Sequence, residues 1–60
     1  MNAKQEAERL MTQARHAGND PEKLHQISVL LTNLGEWEKA QIVEWDAKQA
    51  ERVLAERAAK

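Results

Sequence analysis

Three successive stretches of this chain place apolar residues at helical spacing, and short breaks separate them. In the first, Ala3, Ala7, Leu10, Ala14 and Ala17 recur at alternating four- and three-residue intervals with Met11 alongside, which predicts a helix over about residues 3–17. Its stripe is mostly alanine, so only Leu10 and Met11 approach the roughly 1.5–3 kcal/mol available from burying a large side chain. It is expected to be the loosest element. The second stretch carries Leu24, Ile27, Leu30, Leu31 and Leu34 on one face, with Val29 on the far side, and predicts a helix over about residues 21–34. The third aligns Ala40, Val43, Ala47, Ala50 and Leu54 and predicts a helix over about residues 36–59.

The breaks have their own chemistry. Gly18-Asn19-Asp20-Pro21 stops one helix and starts the next: Gly18 suits a left-handed cap, Asn19 or Asp20 can accept from unpaired amides, and Pro21 fits a first turn. Gly35 closes the second helix, and the third begins with acids and carries Lys and Arg toward its end, as the helix dipole favours. The pattern specifies an all-α fold in one small domain. The second and third helices form a helical hairpin, and the N-terminal amphipathic helix completes a small bundle.

At 60 residues the chain buries only about 60% of the surface that its unfolded form exposes. It has no cysteine, so neither disulfides nor thiolate metal sites can supplement the core. Oligomerisation or a partner is the expected support. The third helix also carries a second stripe, Ile42, Trp45, Gln49 and Val53, well over 90° round from the Ala40–Leu54 stripe at about 100° per residue. One neighbouring helix cannot cover both stripes. Either the first helix folds back over the second stripe, or a second copy or another protein covers it. The alanine-rich first helix offers few large side chains, which tips the balance slightly toward association, with a dimer favoured.

Leu24, Ile27, Ser28 and Leu31, followed by Gly35-Glu36-Trp37-Glu38-Lys39-Ala40 and then Ala47, resemble a single tetratricopeptide repeat. In that family two antiparallel helices pack closely where small residues face each other, the places held here by Ser28, Ala40 and Ala47. The resemblance covers about half the chain and implies recognition of a protein or peptide by a helical surface. The sequence departs from the pattern at Glu44, where an aromatic is usual, with Trp45 one place late, and at Arg52, where a proline is usual. Leu30-Leu31-Thr32-Asn33-Leu34-Gly35 with Ile42 and Trp45 also looks like a helix-turn-helix, which implies a DNA-binding regulator as the alternative. Its recognition helix would bring Glu36, Glu38, Glu44 and Asp46 toward phosphate, against Lys39 and Lys48, so nucleic acid is disfavoured.

The formal charge of −1 leaves no footprint for an anionic polymer or membrane surface. No apolar run approaches the roughly 20 residues needed to span a bilayer, and no signal-type segment opens the chain, so a soluble, cytoplasmic protein is expected. Nucleophilic catalysis needs a nucleophile beside a base. Here there is no Cys or Tyr, Ser28 sits on the packing face, and His16 and His25 lie on different helices. Glu22 and His25 share the spacing of the Glu-x-x-His ligand pair of di-iron bundles, but companion carboxylates are not evident and His25 reads as a surface residue. We therefore expect no enzyme, no cofactor, no metal and no small-molecule substrate. Trp37 is expected to plug the hairpin turn. The expected function is a protein-binding regulator or adaptor, acting through Ile42, Trp45, Gln49 and Val53 and self-associating.

Overall fold

A computed structural model describes residues 2–59 as three helices: α1 (Ala3–Ala17), α2 (Pro21–Asn33) and α3 (Trp37–Ala58). No strand occurs among the described residues. The helix ends fall where the breaks place them, except that α2 stops one residue before Leu34 and α3 spans Trp37–Ala58 rather than residues 36–59.

Each end has a chemical cause. Asn2 caps α1, its side-chain oxygen accepting from the Gln5 amide at 2.9 Å. Of the two candidates before Pro21, Asp20 is the cap, accepting from the Lys23 amide at 3.2 Å. Gly18 takes a positive φ, as a helix-stopping glycine should, but its ψ of −122° lies in the mirror image of extended backbone rather than in the left-handed helical region. The Asp20 amide then reaches back to the Ala17 carbonyl at 3.3 Å, closing a tight reversal whose first central residue must have positive φ.

The α2–α3 turn follows the Schellman pattern. Leu34 is the cap residue and Gly35, at φ 81°, leaves the helix. The Gly35 amide donates to the Thr32 carbonyl and the Glu36 amide to the Leu31 carbonyl, both at 3.0 Å, so the last-turn carbonyls of α2 are satisfied within the turn.

α2 and α3 pack along each other as the hairpin, α1 lies mainly against α2, and α1 meets α3 only slightly. The buried core is Ala7, Leu10 and Ala14 of α1, Leu24, Ile27 and Leu31 of α2, and Ala40, Val43, Ala47 and Ala50 of α3, with Met11, Ala17 and Leu34 packed at its margin. Ser28 is buried among them. Small residues at positions 28, 40 and 47 all sit inside this packing, as close approach of two helix backbones requires. The whole is flat and long, 45 × 18 × 12 Å.

Four apolar residues depart from the expected core, and the geometry explains three of them. Leu30 is 49% exposed because it lies at the edge of the α2 stripe, beyond the reach of α1 or α3. Leu54 is 43% exposed because α3 has 22 residues and α2 only 13. Both start from one turn, so at 1.5 Å per residue α2 runs out about 20 Å along α3, near Ala50. Ala3, one turn before Ala7, lies exposed at the start of α1. Trp37, expected to plug the turn, is instead 65% exposed. It stands about 100° round from the buried stripe of α3 and borders a groove along the α2–α3 seam.

Candidate functional site

Two surfaces have the character of sites. The first is a groove of about 280 Å³ along the α2–α3 seam, lined by His25, Ser28, Val29 and Thr32 from α2 and by Trp37, Ala40, Gln41 and Glu44 from α3. A single carboxylate organises its floor. The Ser28 hydroxyl lies 2.8 Å from Glu44 Oε2 and 2.7 Å from the His25 carbonyl oxygen, and its one hydrogen serves one of these acceptors at a time. His25 Nδ1 stands 3.1 Å from the same Glu44 oxygen and donates to it when protonated. Thr32 Oγ1 donates to the Ser28 carbonyl at 2.9 Å. No buried side-chain nitrogen or oxygen among the described residues lacks a partner.

Chemically, this arrangement is a tie between helices. The carboxylate, not the imidazole, faces the serine hydroxyl, and the serine is buried, so the order of groups differs from a nucleophile activated by a histidine. The Ser28 hydrogen bond, then the one to His25, hold the Glu44 carboxyl below its ordinary value against desolvation, with the charges of His25 and Lys48 as smaller additions to the lowering. His25 thus turns toward Glu44, while Glu22 lines a separate shallow depression with Asp20, Lys23 and Gln26. Among the described residues no three His, Cys, Asp or Glu side chains gather as metal ligands.

The tie predicts a pH dependence. A carboxyl whose folded pKa is lowered from 4.5 stabilises the fold fully above that value and loses the contribution as the pH falls through the lowered folded value. In thermal melts, Glu44→Gln is therefore expected to be less stable than the parent chain at pH 7, with a narrower gap at about pH 3, below the ordinary carboxyl value. A gap of the same size at both values would mean that the carboxylate's charge contributes nothing to the tie.

Sequence reasoning missed this site, taking Glu44 only as a departure from the repeat pattern and as one of the acids that disfavour nucleic acid. The available signal was Ser28, since a hydroxyl on a packing face must find an acceptor and the facing helix offers Glu44.

The second surface is the outward side of α3. Ile42 is 54% and Trp45 64% exposed, Gln49 is exposed and Val53 half-buried. All four expected binding residues thus share one side of one helix, and α1, lying along α2, leaves Ile42 and Trp45 open. The fold-back of α1 over this stripe, one of the two arrangements open from the sequence, is not what forms. No helix of the described residues is long and apolar enough to cross a membrane. No protein-family model matches the chain, and no curated protein or solved structure matches it either.

Proposed function

We propose that this chain is a non-enzymatic protein-binding module, a regulator or adaptor, that docks through Ile42, Trp45, Gln49 and Val53 and self-associates through the same stripe. One observation supports this above the others: a tryptophan and an isoleucine stand more than half exposed on a helix face that the rest of the chain leaves open. Exposed aromatic and branched side chains in one patch gain most from a protein surface, and tryptophan is enriched among residues that dominate binding energy. Acids at Glu38 and Asp46 stand beside the bases Lys48 and Arg52, so the stripe has no basic excess to hold a phosphate backbone, which favours a protein over nucleic acid. The resemblance of the α2–α3 hairpin to a tetratricopeptide repeat points the same way, because helical hairpins of that kind present surfaces to other proteins.

Sedimentation equilibrium over a concentration series tests self-association. The mass is expected to rise from that of the 6.9 kDa chain toward twice that value. A single helix face gives an interface at the small end of the range, under about 1,200 Å² in total, so the transition belongs in the micromolar to millimolar range. A mass that stays at one chain up to about 1 mM would count against self-association.

A further inference from the structure

The outward face of α3 has an internal order. Glu38, Trp45 and Arg52 recur at seven-residue intervals, and all three are exposed. Two helical turns take up about 7.2 residues, so these side chains stand within roughly 20° of one another and about 10.5 Å apart along the axis. Trp45 lies nearly opposite the buried Ala40, Val43, Ala47 and Ala50. From Glu38 to Arg52 the face therefore reads acid, aromatic, base, with the aromatic at its midpoint, while the exposed Glu56 one turn further on lies about 16.5 Å from Trp45, past the point where an inverted copy centred on Trp45 would begin at its own Trp37. Turning the helix end for end about Trp45 exchanges Glu38 and Arg52. In charge, the face is complementary to its own inverted copy, whereas a copy running in the same direction would set acid against acid and base against base.

We propose that α3 pairs antiparallel with α3 of a second copy of this chain, about a two-fold axis at Trp45. This rests on the reading of the Ile42–Val53 stripe as a protein-binding surface and adds its occupant and register. On that axis the two Trp45 rings meet, and each Glu38 stands beside the Arg52 of the other chain, so the dimer contains the pair twice. Ile42, three residues before Trp45, and Gln49, four residues after it, fall on the same flank of the helix. The two-fold keeps flanks together, so each Ile42 packs on the methylenes of the other chain's Gln49. Val53, one turn further on that flank, covers the stem of the other chain's Glu38. Each of the four stripe residues thereby has a counterpart, and Gln49 supplies a polar, hydrogen-bonding flank where an apolar residue would leave the register free to slip.

A charge-swap cycle tests the register. Sedimentation equilibrium at about 50 mM salt, where the screening length is on the order of 14 Å, is applied to the parent chain, Glu38→Arg, Arg52→Glu and the double variant. Each single swap turns two opposite-charge contacts per dimer into like-charge ones and is expected to weaken association about tenfold. The double variant restores both contacts and should return to within about threefold of the parent. Both positions are exposed on α3, so the monomers keep their fold, and circular dichroism checks this. The neutral pair Glu38→Gln and Arg52→Gln repeats the test with smaller expected losses if a swapped chain loses helix. Single swaps that associate as the parent does, while Trp45→Ala still abolishes association, would overturn the antiparallel register and leave the stripe as an interface. Single swaps that weaken association without recovery in the double variant would also overturn it. A parent chain that stays monomeric to about 1 mM would overturn this proposal and self-association together.

Discussion

Leu31→Ala is expected to lower the melting temperature by more than about 10 °C, the largest stability effect of any single truncation in the chain. Leu31 and Val43 are the largest side chains that the fold buries completely. Leu31 sits on α2, the helix that packs most against both of the others, so a cavity there loosens the main link between α1 and α3. Removing a buried leucine costs about 2–5 kcal/mol, the spread reflecting how far the surroundings collapse into the space. A domain of this size has roughly 3–9 kcal/mol of stability to lose at about 0.05–0.15 kcal/mol per residue. The remaining core cannot compensate, because its other large members are few and five of the ten buried apolar residues are alanines. Leu30→Ala provides the control: one residue away and 49% exposed, it should shift the melt by only a few degrees. Equal melts for the two variants, followed by circular dichroism, would show that the α2 stripe is not what holds the chain together.

Trp45→Ala is expected to weaken association by about 2 kcal/mol or more, roughly 30-fold in dissociation constant, while leaving the folded monomer intact. At 64% exposure the indole contributes little to the core, and alanine is the better helix former, so helix content should be kept or rise slightly. Trp37→Ala separates the stripe from aromatic content in general. Trp37 is as exposed as Trp45, yet it borders the His25–Ser28–Glu44 groove and lies away from the stripe. Its loss should change association by less than about threefold. Sedimentation of the two variants beside the parent chain decides between them. Equal effects of both substitutions would mean that the chain associates through generally exposed apolar surface, and the Ile42–Val53 stripe would lose its place as the docking face.

The two tryptophans show why helical spacing places side chains well within a helix and poorly between helices. Residues at three- and four-residue intervals lie together on a helix surface whatever surrounds it, so the buried stripes Leu24–Ile27–Leu31 and Ala40–Val43–Ala47–Ala50 were legible from their spacing. That Ile42, Trp45, Gln49 and Val53 share another side of α3 was equally legible. Spacing does not say which neighbour covers which face, and here two arrangements were open to the same sequence, with only a slight balance toward association.

The amino-acid sequence by itself determined the all-α class, three helices and where they begin and end. These depend on interactions spanning only a few residues: cap side chains, a proline in a first turn, and the two glycines that take positive φ. Tertiary structure decided the rest. It laid α1 along α2 and so left Ile42 and Trp45 open. It ended α2 opposite Ala50 and exposed Leu54. It also brought Glu44 to Ser28 and His25, sixteen and nineteen residues away in sequence. Those outcomes turn on relative helix lengths and on how small side chains let α2 and α3 approach. They are set by the fit of whole surfaces, which no local pattern of residues contains.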